Sequence, residues 1–236
     1  MYFCRQINKL MKKLTVIFVI SLLALQGFSQ EVSESTRKKF STVLDVFTDV
    51  YSNLPKGIET RTINQGMNFS GLYDYRFGKS NFSFAIGVGL GAHNFYSNAF
   101  AVTDSNGVSE LKRIKTLYPG TDYKKNKISY TYFDIPFEFR LRTKNEFRAA
   151  VGFKVGWLID SHTKYKGDDY LFETTDELGV KFRDVRNIET LRYGVTARIG
   201  WKFVNLMGFF SLTDIFKKDK GPEVYPISVG ISLMPF

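Results

Sequence analysis

The sequence predicts an all-β chain, an eight-stranded antiparallel transmembrane β-barrel with short periplasmic turns and long extracellular loops. Three observations predict it. First, residues 129–160 read SYTYFDIPFEFRLRTKNEFRAAVGFKVGWLID and alternate at period two. Phe133, Ile135, Phe137, Phe139 and Leu141 share one face, with Asp134, Pro136, Glu138 and Arg140 between them. After a turn at residues 143–145 the alternation resumes with Phe147, Ala149, Val151, Phe153, Val155, Trp157 and Ile159. Period two is strand, and the turn makes it a hairpin. Second, the other face mixes charge with glycine and alanine: Arg148, Ala150, Gly152, Lys154, Gly156, Leu158, Asp160. Such a face suits the narrow lumen of a barrel whose apolar face meets lipid. Third, the connections alternate in length along the chain, short then long, as they do in outer-membrane barrels.

Composition bounds the rest. The 236 residues suit one domain. The 23 Phe, 13 Tyr and 2 Trp suit a lipid-facing wall with interfacial girdles. A mean hydropathy of −0.16 fits as well, because alternating strands average out their hydropathy. Beyond the N-terminus, no apolar run reaches the roughly 18 residues that a helical span needs.

Residues 1–29 read as a secretory signal peptide. Lys12 and Lys13 form the basic start, Leu14–Leu25 the apolar run, and Gly27 and Ser29 the small residues before cleavage after Ser29 or Gln30. Met11 is an alternative start. The only cysteine, Cys4, lies in the removed part, so no thiol, disulfide or cysteine–metal site is expected in the mature chain. Residues 30–40 read as a periplasmic arm and 41–236 as the barrel domain, a multi-pass protein of the cell outer membrane. The formal net charge is +10. Arg5, Lys9, Lys12 and Lys13 leave with the signal and no acid does, so 29 basic and 23 acidic residues remain, or +6. That modest excess is spread over strands and loops. It suggests contact with anionic lipid head groups rather than nucleic acid.

The elements follow in order. Strand one covers Phe40–Tyr51, with Asp45, Phe47, Asp49 and Tyr51 on one face. Residues 52–64 hold the turn signal Pro55–Lys56–Gly57. Strand two covers Gly66–Phe77, with Met67, Phe69, Tyr73, Tyr75 and Phe77 outward, and Asn68, Ser70, Asp74 and Arg76 inward. A tight turn at residues 78–81 leads to strand three, in which Phe82, Phe84, Ile86, Val88 and Leu90 oppose Ser83, Ala85, Gly87, Gly89 and Gly91. Gly87, Gly89 and Gly91 superficially suggest a nucleotide loop, but they repeat at period two inside a strand with no helix after it. Residues 97–126 read as a long polar loop. Strands four and five are the hairpin above, and residues 161–187 form a second long polar loop. Strand six spans Glu189–Phe203, strand seven Met207–Phe216, and strand eight Ile227–Leu233. Connections after strands two, four and six are short.

An eight-stranded barrel has room inside for side chains and little else. The inward faces place Asp45, Asp49, Asp74, Asp134, Glu138 and Asp160 with Arg140, Lys154, Arg192 and Arg198. Arg76, Arg142, Arg148 and Lys202 also read as inward. Buried charges must be paired, so a lumen charge network follows, with a small ion path as the sharper alternative. Arg76, Lys79, Arg142, Lys144, Arg148 and Lys202 lie nearest the short turns and form a periplasmic basic rim, for head-group anchoring or for an acidic periplasmic partner. His93 and His162 read as extracellular-rim residues. With Asp160 and Ser97 or Ser161 they sketch a hydrolase or acyltransferase triad, but no motif fixes that geometry. No catalytic residue, metal ligand or cofactor is assigned. Asp168, Asp169 and Asp176 read as solvated loop acids, with weak calcium binding as the alternative.

The signal peptide, the strand YFDIPFEFR (132–140), the glycine-rich strand five and the terminal PISVGISL (226–233) with Phe236 last together resemble the small outer-membrane β-barrel proteins of Bacteroidota. These are grouped as PorT-like or outer membrane protein beta-barrel domain proteins. The resemblance covers most of the mature chain and rests on fold motifs, so it implies location more than activity. Phe236 resembles the signal read by barrel-assembly machinery, although it is out of phase with the outward set Ile227–Leu233. The expected function is a non-enzymatic structural or interaction role in the envelope. Outer-membrane lipid and lipopolysaccharide are the expected partners, with an envelope or secretion-complex protein as a further one. Alternatives are an accessory subunit of a secretion or transport complex, a narrow pore, or a rim-sited lipid-modifying enzyme.

Overall fold

The computed structural model describes residues 39–171 and 177–234. The signal peptide and most of the arm lie outside these residues. In chain order the elements are β1 (Phe40–Ser52), β2 (Gln65–Arg76), β3 (Phe82–Tyr96), β4 (Ala99–Thr103), β5 (Ser109–Arg113), α1 (Ile114–Leu117), β6 (Tyr123–Arg142), β7 (Phe147–Asp168), β8 (Glu177–Arg183), β9 (Leu191–Trp201), β10 (Val204–Ser211) and β11 (Tyr225–Leu233).

Eight of these strands close a barrel. The sheet order is β6-β3-β2-β1-β11-β10-β9-β7, and pairing of β6 with β7 completes the ring. Every pairing in it is antiparallel. Each strand expected from the sequence has its counterpart. Period two is the reason: an apolar face exposed to lipid and a lumen face denied water impose opposite demands on successive residues. Val46, Phe69, Val88, Phe139, Val151, Ile199, Leu206 and Ile231 are accordingly exposed. On β6 this belt runs from Leu141 to Phe133, about 27 Å along the strand and about 21 Å in height once tilted, close to a lipid-facing band.

The two long loops are more ordered than a polar loop. Residues 97–126 contain the β4–β5 hairpin and α1, and residues 161–187 contain the continuation of β7 and the strand β8 paired with it. β6 and β7 run for 20 and 22 residues, well past the apolar belt. Above the apolar belt the outer face of a strand meets water instead of lipid, while inward residues such as Leu111, Ile128 and Tyr165 stay buried, so the lipid-against-lumen contrast that reveals a strand is weakened.

A β-bulge marks the transition. Tyr132 pairs with Leu158, but the next residue of β6, Thr131, pairs with Asp160. Ile159 is the extra residue, and it reverses the facing of everything beyond it. Below the bulge the even positions of β7 point inward. Above it Ser161, Tyr165 and Gly167 are the buried ones.

The lumen is filled in three layers. At the turn end lies a small apolar cluster of Val43, Leu72, Ala85 and Met234. The middle is charged. Beneath the extracellular loops Tyr51, Ile58, Phe95, Ile128, Tyr130, Tyr132, Ile188, Phe216 and Val224 form an apolar cap.

Glycines make room for the charged layer. A Cβ on Gly156 would lie 2.2 Å from Asp134 Oδ1, and one on Gly91 would lie 2.7 Å from Asp134 Oδ2. Gly156→Ala should therefore destabilise the barrel by about 1–3 kcal/mol through overpacking. Gly208→Ala, where an added methyl meets nothing within 4 Å, should stay within about 0.5 kcal/mol. Urea unfolding in phospholipid vesicles compares the two.

Candidate functional site

The charged layer is built by register. On one level of the wall Gly89, Asp134, Gly156 and Arg192 stand side by side on β3, β6, β7 and β9. With no side chain on Gly156, Arg192 Nη2 reaches across it to both oxygens of Asp134, at 2.9 and 3.0 Å. Lys154 Nζ lies 3.3 Å from the same carboxylate. The Arg192 guanidinium also lies over the Tyr132 ring at 4.2 Å, and Lys154 lies over Phe209 at 4.2 Å.

Towards the extracellular end Arg192 Nη1 meets His93 Nε2. A guanidinium only donates, so Nε2 accepts and the ring is neutral with its proton on Nδ1. That proton is donated to Asp49 Oδ2 at 2.8 Å. The other Asp49 oxygen accepts from Ser228 at 2.5 Å. Tyr51 and Tyr130 close this end with a hydroxyl contact at 3.2 Å.

Towards the turns Glu138 joins two arginines. Arg140 Nη2 lies 2.7 Å from it and Arg198 Nη1 binds its other oxygen. Arg140 continues to Asp74 at 2.8 Å and Arg198 to Asp45 at 2.8 Å. Asn68 donates to Asp45 at 2.9 Å, and Ser41 accepts from Arg140 at 2.7 Å. Asp45, Asp49, Asp74, Asp134, Glu138, Arg140, Lys154, Arg192 and Arg198 are all buried. Two linked chains of ion pairs thus cross the lumen at successive heights.

These observations decide the kinship. The family described as outer membrane protein beta-barrel domain matches residues 31–217, well over half of the chain. The chain belongs to this family. No curated protein matches it. The matched span stops short of β11, the strand that closes this member of the family by pairing with β1.

Several expected site residues stand elsewhere in this outer-membrane barrel. Asp160 is outside the lumen network: the bulge at Ile159 turns it to the outer wall, where it pairs with His162 at 2.9 Å with its side chain 45% exposed. Arg76 and Lys202 are exposed: Arg76 keeps the inward parity of Asp74 but stands at the open end of β2, and Lys202 lies in a tight turn at φ 54°. His93 is not a rim residue. β3 continues to Tyr96, so His93 follows Gly87, Gly89 and Gly91 on the lumen face, 1% exposed. The sketched triad is not assembled. Ser161 and His162 point to opposite faces of the wall, Ser161 Oγ accepts from Val185 N at 3.0 Å, and Ser97 Oγ donates to Ala99 O at 3.1 Å. Asp168 accepts from the Asp122 backbone at 2.7 Å; Asp176 lies outside the described residues. Among the described residues no three His, Cys, Asp or Glu side chains gather as a metal site would need.

The basic rim splits in two. Arg76, Lys79, Lys144 and Lys202 are exposed around the turns. Arg142 and Arg148 stand opposite each other in register and are half-buried, and Arg148 donates to Met234 O at 2.9 Å. With Arg140 and Arg198 they line a small recess at the turn end. Ser41, Ser228, His93 and Ser232, which accepts from Arg198 Nε at 3.3 Å, are network members that charge alone did not single out. Each sits at an inward period-two position, which is the signal that could have found them.

Removing one member of a buried pair strands its partner. Glu138→Ala should cost about 3–5 kcal/mol, because Arg140 and Arg198 both lose a carboxylate. Asp160→Ala, on the outer wall, should cost under about 1 kcal/mol. Unfolding free energies in lipid vesicles check both.

Proposed function

We propose that this chain is a plugged, non-conducting outer-membrane barrel that serves the envelope by structure and contact, not by catalysis or transport. The observation that carries this reading is the filled lumen. Ion pairs cross it at successive heights, and apolar clusters close it above and below. An ion entering would have to break a desolvated pair, which costs several kcal/mol. On the same reading the chain is exported by a cleavable signal peptide, cut after Ser29 or Gln30, and crosses the membrane eight times with both termini in the periplasm.

The test is conductance in a planar bilayer. The purified barrel should insert and leave the current flat. A steady ohmic conductance, abolished or enlarged by Glu138→Ala, would make it a pore instead.

The periplasmic rim favours a second reading, that of an accessory subunit in a secretion or transport complex. Arg76, Lys79, Arg142, Lys144, Arg148 and Lys202 gather at one end, where Lys202 has Glu146 as a distant partner at 3.7 Å. Such a rim is complementary to an acidic periplasmic surface. The finer kinship with PorT-like proteins of Bacteroidota, suggested by residues 132–140 and 226–233, points the same way. Affinity purification from detergent-solubilised native membrane separates the two readings. The barrel alone supports the first. A stoichiometric protein partner that Lys79→Glu with Lys144→Glu releases supports the second.

A further inference from the structure

Above the apolar belt the outer faces of β6, β7 and β8 carry cations in register. Lys127 stands opposite Lys164, and Lys164 stands opposite Lys181. Paired strands lie about 4.8 Å apart, so three lysines follow one another across the wall. The Lys127 ammonium leans towards β3, where it donates to Asn94 Oδ1 and lies 5.5 Å from the Tyr96 ring. Lys125 is one step further out on the same face of β6. Like charges placed directly opposite each other destabilise a sheet. Two nearby acids among the described residues are already engaged. Glu177 holds Lys124 at 2.9 Å and Lys166 at 3.0 Å, and Asp160 holds His162. Among the described residues, Lys125, Lys127, Lys164 and Lys181 have no carboxylate within ion-pair distance. Lys127, half-buried and above the membrane-spanning part of β6, has its ammonium pushed down to about 8, first by burial and then by Lys125, Lys164 and Lys181. The row is a concentrated positive charge that no carboxylate among the described residues neutralises.

Height selects the ligand. Lys127 lies six residues beyond Phe133 and Lys164 five beyond Ile159, which is about 13–15 Å above the end of the apolar belt on tilted strands. Lysine side chains reach back towards the membrane while keeping their charge in water. That level suits an outer-leaflet lipid whose anionic groups extend well outward from its acyl chains and carry more than one phosphate. Beside the row, Arg61 lies over the Tyr96 ring at 4.8 Å, at the edge of a recess of about 160 Å³ that Asn98 and Tyr123 also line. The ring itself is buried beneath Arg61, Lys125 and Lys127, so the recess offers a sugar the Arg61 guanidinium and neighbouring polar groups at its edge.

We propose that Lys127, Lys164 and Lys181, with Lys125 beside them, bind the phosphates of an outer-leaflet glycolipid of the lipopolysaccharide type, its sugar beside Tyr96. The proposal rests on the reading of the chain as an outer-membrane barrel and gives its lipid partner a specific seat. Three like charges held in register are tolerated because the bound phosphates neutralise them.

The test uses the full barrel in phosphatidylcholine vesicles titrated with diphosphoryl lipid A. The triple variant Lys127→Gln/Lys164→Gln/Lys181→Gln should bind on the order of a hundredfold more weakly, each surface lysine contributing about a fivefold factor. The corresponding arginine triple should restore binding. Lys217→Gln/Lys218→Gln/Lys220→Gln, in the loop before β11, should leave it unchanged. Dephosphorylated lipid A should bind the wild type as weakly as the triple glutamine variant binds the phosphorylated form. Inorganic phosphate should compete only weakly, lacking the acyl chains. Equal affinity of wild type and glutamine triple, equal affinity for the dephosphorylated lipid, or full displacement by inorganic phosphate would overturn the site. Failure of the wild-type barrel to enter vesicles at all would overturn the membrane reading instead, so the two failures are distinguishable.

Discussion

A charge inside an eight-stranded barrel has no water to turn to, and the rest of this structure depends on how that is met. Asp134 is the clearest case. Its carboxylate is fully buried, yet it holds Arg192 from two strands away and Lys154 from the neighbouring one. This works because Gly156 lies between Asp134 and Arg192 with no side chain to block them. Glu138 repeats the device at a lower level, reaching Arg198 past Gly152. Each acid is thus tied to strands other than its own, and the ring is braced from inside as well as by its backbone ladder. Buried ion pairs do not by themselves guarantee high stability, since desolvation offsets much of their attraction. Here they specify which strands meet and at what register.

The same constraint gives the two ends different characters. The network holds five acids, Asp45, Asp49, Asp74, Asp134 and Glu138, against Arg140, Lys154, Arg192 and Arg198, with His93 neutral. The surplus negative charge belongs to the lower chain, where Arg142 and Arg148 lie close enough to Asp74 to feel it. The turn end therefore gathers arginines, while the extracellular end is sealed by aromatic rings. Outside the wall the balance shifts again, with a cationic strip confined to β6, β7 and β8.

How much of this was legible in the sequence follows from where each residue meets lipid. Between the two membrane surfaces, lipid on one side and a dry lumen on the other force strict alternation, so all eight barrel strands and most of the network could be read from parity alone. Asp45, Glu138 and Arg198 needed nothing more. The reading lost its hold where one of the two contrasts vanishes. β4, β5 and β8 are short and lie beyond the apolar belt, and although Ala99, Ser109 and Leu111 are buried their outer faces carry no sustained apolar row. Asp160 was misplaced because parity cannot register a single inserted residue, and the bulge at Ile159 is visible only in the pairing. His93 was misjudged for the opposite reason: it continues the period-two series of Gly87, Gly89 and Gly91, but it was expected at the rim, beyond the glycines.

The partners in the network also lie far apart along the chain. Ser228 and Asp49 are 179 residues apart, and Arg198 and Asp45 are 153 apart. β1 finds its second neighbour only in β11. An emerging chain therefore makes its first acids long before the groups that will neutralise them exist. Hairpins such as β6–β7 can form early from nearby residues, but the ring and its internal bracing can be completed only after the last strand has arrived. The closed ring and the pairing of its earliest acids thus both depend on residues from the far end of the described chain.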